Sequence, residues 1–437
     1  MKNITILNSK NIGGTISIPP SKSDTIRAIF LALLANGEST IHNPLLSKDT
    51  FAAIDVSVTF GATIKLDEKN NCLLIKGTNG KLTKTKENIV INTKNSGTTL
   101  NFSLTIAAID NNEITIYGDE ITNNRPIYPI IDGLNMLGVK TKYLGRDGYP
   151  PVIICGKVNK NREVEIIAKS SQFVSSFLIA APFFDYDTRY VIIEPVETPY
   201  IEMTVNWLNY VGIKIKRDMY NYFEIEGRQK ITPFSATIIG DYSSATFFIV
   251  LAAISKSTIK IKGLNKNDFH PDKKVLNIVE SFGADITYRE IYEEISKNNE
   301  SYITIKGGEL YGREIDMNDT PDAVPAIALL GCFANGETKL TNIANVRIKE
   351  TDRIKVIVKE LKKLGADIRE ENDSIIIKKS FLIGNKVKSH GDHRIAMTLI
   401  VAGLVAKGKT IVEDIECIDV TFPNFLELIK KVNGKIF

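Results

Sequence analysis

The sequence predicts an α/β protein of two similar domains, each built from three βαβαββ-type units, and three observations carry that prediction. Six helices begin with polar residues and then run apolar on nearly every side. A short strand, often rich in Thr and Ile, follows each of them. Each unit closes on a second helix that stops at a glycine, at Gly61, Gly138, Gly212, Gly283, Gly365 and Gly434. That interval exceeds the ~20–50 residues of solenoid and propeller repeats and suits a whole subdomain.

The first unit opens at Pro19-Pro20-Ser21-Lys22-Ser23-Asp24-Thr25-Ile26-Arg27. Two prolines stop a strand, and Ser21 or Ser23 can cap the helix over 21–35. Beyond Arg27 that helix is apolar all round, which means burial rather than a place on an amphipathic surface. The same pattern predicts buried helices over 95–108, 170–181, 242–254, 321–334 and 392–406, with strands after them at 39–41, 113–116, 190–193, 257–260, 337–340 and 409–412. The second helix of the fifth unit, 351–364, has Ile354, Ile357, Val358, Leu361 and Leu364 at helical spacing. Lys355, Lys359, Glu360, Lys362 and Lys363 lie between them, so this helix is amphipathic and belongs at the surface.

One further strand, 4–7, with a continuation at 15–18 left open, precedes the first unit and is expected to pair with the last units. The chain would then enter one domain, leave for units one to three, and return. The expected domains are 1–19 with 240–437, and 20–239. The polar first turns of the six buried helices would face a cleft between the halves, and the two crossings would act as a hinge for closure on substrate.

Composition narrows the function. With 55 basic and 51 acidic residues the net charge is +4, too small over 437 residues for a nucleic-acid footprint. Cys72, Cys155, Cys332 and Cys417 lie far apart, which suggests neither a disulfide framework nor a zinc site. The first residues lack the apolar core of a signal peptide, and no uncharged apolar run reaches bilayer length. A cytoplasmic monomer without metal or cofactor is expected.

The helix starts hold the candidate chemistry. The first offers Lys22, Ser23 and Arg27; a helix N-terminus already favours anions, and here cations and hydroxyls are added to it. The second is Asn95-Ser96-Gly97-Thr98-Thr99, where Gly97 lets a ligand approach the backbone, or which serves only as a cap. Ser170, Ser171 and Gln172 suit a phosphate, or equally form a capping cluster. Asp241 is most simply an N-cap, whereas Asp322 can cap a helix or act as a base. His390-Gly391-Asp392-His393-Arg394 has the spacing of a metal clip but no third ligand nearby. Between units lie Asn124-Arg125-Pro126 and the charged run from Arg347 to Arg353, whose five charges in seven residues usually mean a solvated face; against that, Thr351-Asp352 looks like a helix start, which would aim Lys349, Glu350 and Arg353 at the end where anions bind. Lys22, Arg27, Arg125, Lys349, Arg353 and Arg394 form an excess of cations suited to a substrate with several phosphate or carboxylate groups. The carboxylates Asp322 and Glu350 suggest proton transfer.

Pro-Ser-Lys-Ser-x-x-x-Arg-Ala, Asn-Ser-Gly-Thr, Arg-Pro, Ser-Ser-Gln, Pro-Asp-Ala, Lys-Glu-Thr-Asp-Arg and Asp-His-Arg, in this order across essentially the whole chain, resemble the 5-enolpyruvylshikimate-3-phosphate synthase family. The resemblance implies an inside-out α/β barrel in each domain. It also implies transfer of the enolpyruvyl group of phosphoenolpyruvate to the 5-hydroxyl of shikimate 3-phosphate, through a tetrahedral intermediate. By the same resemblance, Lys22, Ser23, Arg27, Ser170, Ser171, Gln172, Asp322 and Lys349 would hold shikimate 3-phosphate. Lys22, Gly97, Arg125, Gln172, Arg353 and Arg394 would hold phosphoenolpyruvate. Asp322 would act as base on the 5-hydroxyl, and Glu350, with Lys22, would supply the proton to the methylene carbon. Nearby cations oppose protonation of Glu350, so its acid form is expected only transiently.

Three positions depart from the family pattern. Asn101 stands in place of a frequent arginine, Val420 in place of a frequent lysine, and Glu197-Thr198-Pro199-Tyr200 in place of Ser-Lys-Pro-Tyr. The two missing cations predict weaker phosphoenolpyruvate binding. The rival readings are the sister enolpyruvyl transferase acting on UDP-N-acetylglucosamine, whose reactive cysteine has no counterpart in 117–124, and a non-catalytic anion-binding descendant. The second fits poorly with Asp322 and Glu350, which pure binding does not need.

Overall fold

The six apolar helices are each buried along most or all of their length in the computed structural model, which describes residues 2–82, 88–160, 163–292 and 299–437. They are Lys22–Leu34, Gly97–Ile106, Ser171–Ala180, Tyr242–Ile254, Val324–Gly331 and His393–Val405. All residues of Tyr242–Ile254 are buried, including Ser243, Ser244 and Thr246. Such a helix has no solvent face, so its polar groups must find partners inside. Thr246 donates to the Tyr242 carbonyl at 2.9 Å, and the Tyr242 hydroxyl to the Asn265 carbonyl at 2.8 Å. The helix expected over 321–334 opens with a 3-10 turn, Pro321–Ala323, which puts Asp322 in the turn ahead of the α-helix.

The chain divides into two compact units, Met1–Ser21 with Ile239–Phe437, and Lys22–Ile238. The first unit therefore runs to Ser21 rather than stopping at 19, and resumes at 239 rather than 240. Backbone pairing explains the shift: Ser21 N–H donates to the Ile239 carbonyl at 2.8 Å, and Pro20 bridges Gly240.

Among the described residues, each unit holds three four-stranded sheets of one pattern, a parallel pair followed by two antiparallel pairings. In Lys22–Ile238 the sheets are ordered Ser235–Thr237, Glu38–His42, Cys72–Lys76, Thr63–Asp67; Ile89–Asn92, Glu113–Tyr117, Val152–Cys155, Lys140–Tyr143; and Glu163–Ile167, Thr188–Ile193, Tyr222–Ile225, Ile215–Asp218. Alternation sets which face is buried: in Glu38–His42, Ser39 and Ile41 point inward. In the other unit the strand Ile4–Leu7 pairs antiparallel with both Lys409–Glu413 and Lys435–Ile436. Gly13–Ser17 is a separate strand, parallel to Thr258–Lys262 in the sheet of the fourth sequence unit. Each unit has its own hydrophobic core, one around Phe30, Phe102 and Phe177, the other around Phe248, Phe422 and Phe425. No helix among the described residues is long and apolar enough to cross a membrane.

Candidate active site

In the unit Lys22–Ile238 the first turn of Lys22–Leu34 is tied down by its neighbours. Lys22 Nζ lies 3.2 Å from Asp49 Oδ2, a buried carboxylate in the first turn of Lys48–Thr59. Arg27 is buried, and its nitrogens donate to Thr204 Oγ1 at 2.8 Å, the Ser23 carbonyl at 3.0 Å and the Tyr200 carbonyl at 3.2 Å. Burial pushes the Arg27 guanidinium down to about 10, against the opposing charge of Asp24. Asp24 in turn accepts from Trp207 Nε1 at 2.7 Å. The helix Thr198–Tyr210 thus fixes the first helix by contacts at Tyr200, Thr204 and Trp207.

Gly97 opens its helix after the cap Ser96, whose side chain accepts from the Thr99 N–H. A Cβ at position 97 would stand 2.0 Å from Arg125 Nη1, so the missing side chain is the space that the guanidinium occupies. Gln172 is held from both ends of its amide. Asn101 Nδ2 donates to Gln172 Oε1 at 2.7 Å, and Gln172 Nε2 donates to Thr98 Oγ1 at 3.2 Å. Asn101 therefore orients a candidate ligand-binding amide, a part that its place in the sequence did not reveal. Ser170 caps its own helix by accepting from Gln172 N–H at 3.3 Å. Ser171 gives its N–H, at 3.2 Å, and its hydroxyl, at 2.6 Å, to the carboxylate of Glu197.

In the other unit Arg353 is the hub. It is 1% exposed, and each of its nitrogens serves a different carboxylate: Nε donates to Asp392 at 2.7 Å, Nη1 to Asp322 at 2.7 Å, and Nη2 to Glu350. Burial works against the charge on Arg353, but Asp392, Glu350 and Asp322 outweigh it and hold the guanidinium well above its ordinary value. Asp352 caps the helix Arg353–Lys363 from Lys355 N–H, which places Arg353 at the first helical position. Asp322 also accepts from Arg394 Nη2 at 2.7 Å. The expected surplus of cations is therefore corrected in this unit: Arg353 and Arg394 meet three carboxylates, Asp322, Glu350 and Asp392. Lys349 follows the short turn Ala344–Ile348 and is half-buried.

A second buried polar cluster sits at the start of Tyr242–Ile254. Asp241 accepts from Ser243 N–H at 3.0 Å and Ser244 Oγ at 2.7 Å, and lies 3.1 Å from His270 Nε2. Ser243 Oγ donates to the fully buried Asp272 carboxylate. Burial first, and then the charge of Asp322, push the Asp272 carboxyl above its ordinary value against His270 and Arg394. Among the described residues no group of three or more His, Cys, Asp or Glu is arranged to hold a metal ion. Val420 is buried in the turn Ile415–Val420.

The family model of EPSP synthase (3-phosphoshikimate 1-carboxyvinyltransferase) matches residues 6–429. The chain belongs to the EPSP synthase family. It is 42% identical to the 3-phosphoshikimate 1-carboxyvinyltransferase of Acetivibrio thermocellus over 423 residues, which are 97% of this chain and 96% of that relative. It is 38% identical to the enzyme of that name from Methanocaldococcus jannaschii over 439 residues, 99% of both chains. A solved EPSP synthase from Acinetobacter baumannii superposes with a TM-score of 0.81 at 27% identity, covering 100% of this chain and 99% of that one. The shared fold is a mixed α/β architecture of many small sheets.

Seen as an EPSP synthase family member, the chain splits its candidate residues by unit. Lys22, Ser23, Arg27, Gly97, Arg125, Ser170, Ser171 and Gln172 lie in one unit, and Asp322, Lys349, Glu350, Arg353 and Arg394 in the other. Partners to which sequence reasoning gave no role in the site hold several of them: Asp49 holds Lys22, Thr98 holds Gln172 and Thr204 holds Arg27 in the first unit, and Asp392 holds Arg353 in the second. Asp392 stood inside the Asp-His-Arg motif and so carried a signal. Thr204, one turn after Tyr200 in an ordinary amphipathic helix, carried none.

Proposed function

We propose that this chain transfers the enolpyruvyl group of phosphoenolpyruvate to the 5-hydroxyl of shikimate 3-phosphate and releases phosphate. Beside the family membership, the observation that carries this reading is that Asp322 and Glu350 lie on adjacent nitrogens of one buried guanidinium. A base and an acid fixed on one rigid fork are what an addition followed by an elimination needs.

In this scheme Asp322 takes the proton of the 5-hydroxyl as its oxygen bonds to C2 of phosphoenolpyruvate, and Glu350 with Lys22 gives a proton to C3. The product is a tetrahedral intermediate that carries both the phosphate and the new ether oxygen. In the second half Glu350 takes a proton back from the methyl group, the C2–O bond to phosphate breaks, and Asp322 returns its proton to the leaving phosphate. Lys22, Gly97, Arg125, Gln172, Arg353 and Arg394 would hold phosphoenolpyruvate and the charge on the departing phosphate. Lys22, Ser23, Arg27, Ser170, Ser171, Gln172, Asp322 and Lys349 would hold shikimate 3-phosphate. The finer fold reading is of the same kind: three sheet-and-helix repeats per unit wound as an inside-out barrel, in a cytoplasmic monomer that uses no cofactor.

The test is phosphate release by the purified chain given phosphoenolpyruvate with either shikimate 3-phosphate or UDP-N-acetylglucosamine. Release with shikimate 3-phosphate alone is expected. Release with the nucleotide sugar alone, or with neither, overturns the proposal.

A further inference from the structure

The carboxylate of Glu197 sits on the two donors of Ser171, a residue that the proposed function assigns to shikimate 3-phosphate. Its Oε2 accepts both the Ser171 N–H, at 3.2 Å, and the Ser171 hydroxyl, at 2.6 Å. Glu197 is 2% exposed. It holds a left-handed backbone, φ 53 and ψ 37, in which a non-glycine residue persists only when its surroundings fix it. It also stands at the N-cap position of Thr198–Tyr210 without capping that helix through its side chain, which it spends on the start of Ser171–Ala180 instead. With Ser170 on the Gln172 N–H, the first two N–H groups of Ser171–Ala180 are both taken by side-chain oxygens. A carboxylate in this position imitates an anionic ligand, and a phosphate cannot share the same two donors with it.

We propose that Glu197 is a specificity-determining residue of the shikimate 3-phosphate site, an internal anion that must leave Ser171 before the 3-phosphate can take its place. The proposal rests on the functional reading above. Departure of Glu197 also reaches Arg27, because the helix that follows Glu197 supplies the Tyr200 carbonyl and Thr204 hydroxyl that hold the Arg27 guanidinium. The 3-phosphate would therefore meet a like charge at Ser171, and a cation whose position depends on the same segment.

The experiment is calorimetric titration of the full chain, and of Glu197→Gln and Glu197→Ser, with shikimate 3-phosphate and with shikimate, which lacks the phosphate. Like charges a few ångströms apart repel enough to change binding by about tenfold or more, even at an effective dielectric near that of water. Removal of the charge is therefore expected to lower the Kd for shikimate 3-phosphate by about that factor while the Kd for shikimate stays put. Glutamine keeps an acceptor for Ser171, so Glu197→Gln serves if Glu197→Ser does not fold. A Kd for shikimate 3-phosphate that is unmoved or weakened, or one that shifts equally for both ligands, overturns the proposal and leaves Glu197 a helix cap. If the wild-type chain turns over shikimate 3-phosphate, such a result counts against the role of Glu197 alone; if it does not, the functional reading falls as well.

Discussion

Arg353→Lys tests the hub directly. The guanidinium reaches Asp392, Asp322 and Glu350 with three nitrogens in a rigid plane, whereas an ammonium is a point charge that can follow only one of these directions well. Two of the three charge-assisted hydrogen bonds are lost, and at about 1.5–3 kcal/mol each the unit containing Arg353 should lose about 3–6 kcal/mol. Asp392 is fully buried and dominates the sum, because water cannot replace the lost donor there. The assay is urea unfolding combined with hydrogen exchange, with the helix Gly97–Ile106 of the other unit as the internal reference. Protection should fall in Arg353–Lys363 and His393–Val405 and hold in the reference helix. Salt supplies the discriminating control. A buried network is screened little, so the loss should be nearly the same at 0.05 and 0.5 M NaCl, in roughly the range where exposed pairs weaken. A loss below about 1 kcal/mol, or one that disappears in salt, would refute the reasoning by placing the pairs in the class of surface bridges.

Gly97→Ala drives a methyl group into the Arg125 guanidinium; the arginine must move, and the KM for phosphoenolpyruvate should rise about tenfold with little change in Tm, whereas an unchanged KM would mean that Arg125 does not touch that substrate. Asn101→Ala removes the 2.7 Å hydrogen bond that orients Gln172, at a cost of about 1 kcal/mol, and should raise KM severalfold. In a double-mutant cycle the effect should vanish when Gln172 is already alanine, and full additivity would disprove the link. Glu360 is buried and accepts from Lys363, His390 and the Lys388 N–H; burial raises its carboxyl, but these partners outweigh that and hold it below its ordinary value. Its stabilisation is thus present above the unfolded carboxyl's range and lost as pH falls through the folded one. Glu360→Gln should cost about 1.5–3 kcal/mol at neutral pH and progressively less below about pH 4, as urea midpoints measured across pH will show.

The buried helices were legible in the sequence because a run with no polar face has only one place to go. Their polar first turns were legible for the complementary reason: Lys22, Ser96, Ser170, Asp241 and Asp392 interrupt otherwise apolar stretches. The pairings were hidden. Arg353 and Asp392 each read as a charged residue at a helix start, and only tertiary structure brings them within 2.7 Å although they stand 39 positions apart in the chain. Asn101 read as a lost cation because the missing arginine was more conspicuous than the amide put in its place. Glu197 read only as a departure from Ser-Lys-Pro-Tyr, since nothing local reveals that its side chain reaches back to the start of the preceding helix, Ser171–Ala180. Gly13–Ser17 could not be assigned either, because a strand of Gly, Thr and Ser declares its type weakly and its partner not at all.

The pairing of Ile4–Leu7 with Lys409–Glu413 and Lys435–Ile436 has a consequence for synthesis on the ribosome. Lys22–Ile238 is contiguous and can fold as soon as it emerges, whereas Ile4–Leu7, made before it, must wait for Lys409–Glu413 and Lys435–Ile436, made after it. At about 5–20 residues per second that wait is on the order of tens of seconds, during which Ile4 and Ile6 have no sheet to enter. The segment carrying Ile4–Leu7 and Gly13–Ser17 therefore stays unpaired while Lys22–Ile238 completes its own sheets. Chaperone dependence should fall on this segment, and a circular permutant that moves it behind Phe437 should relieve that dependence.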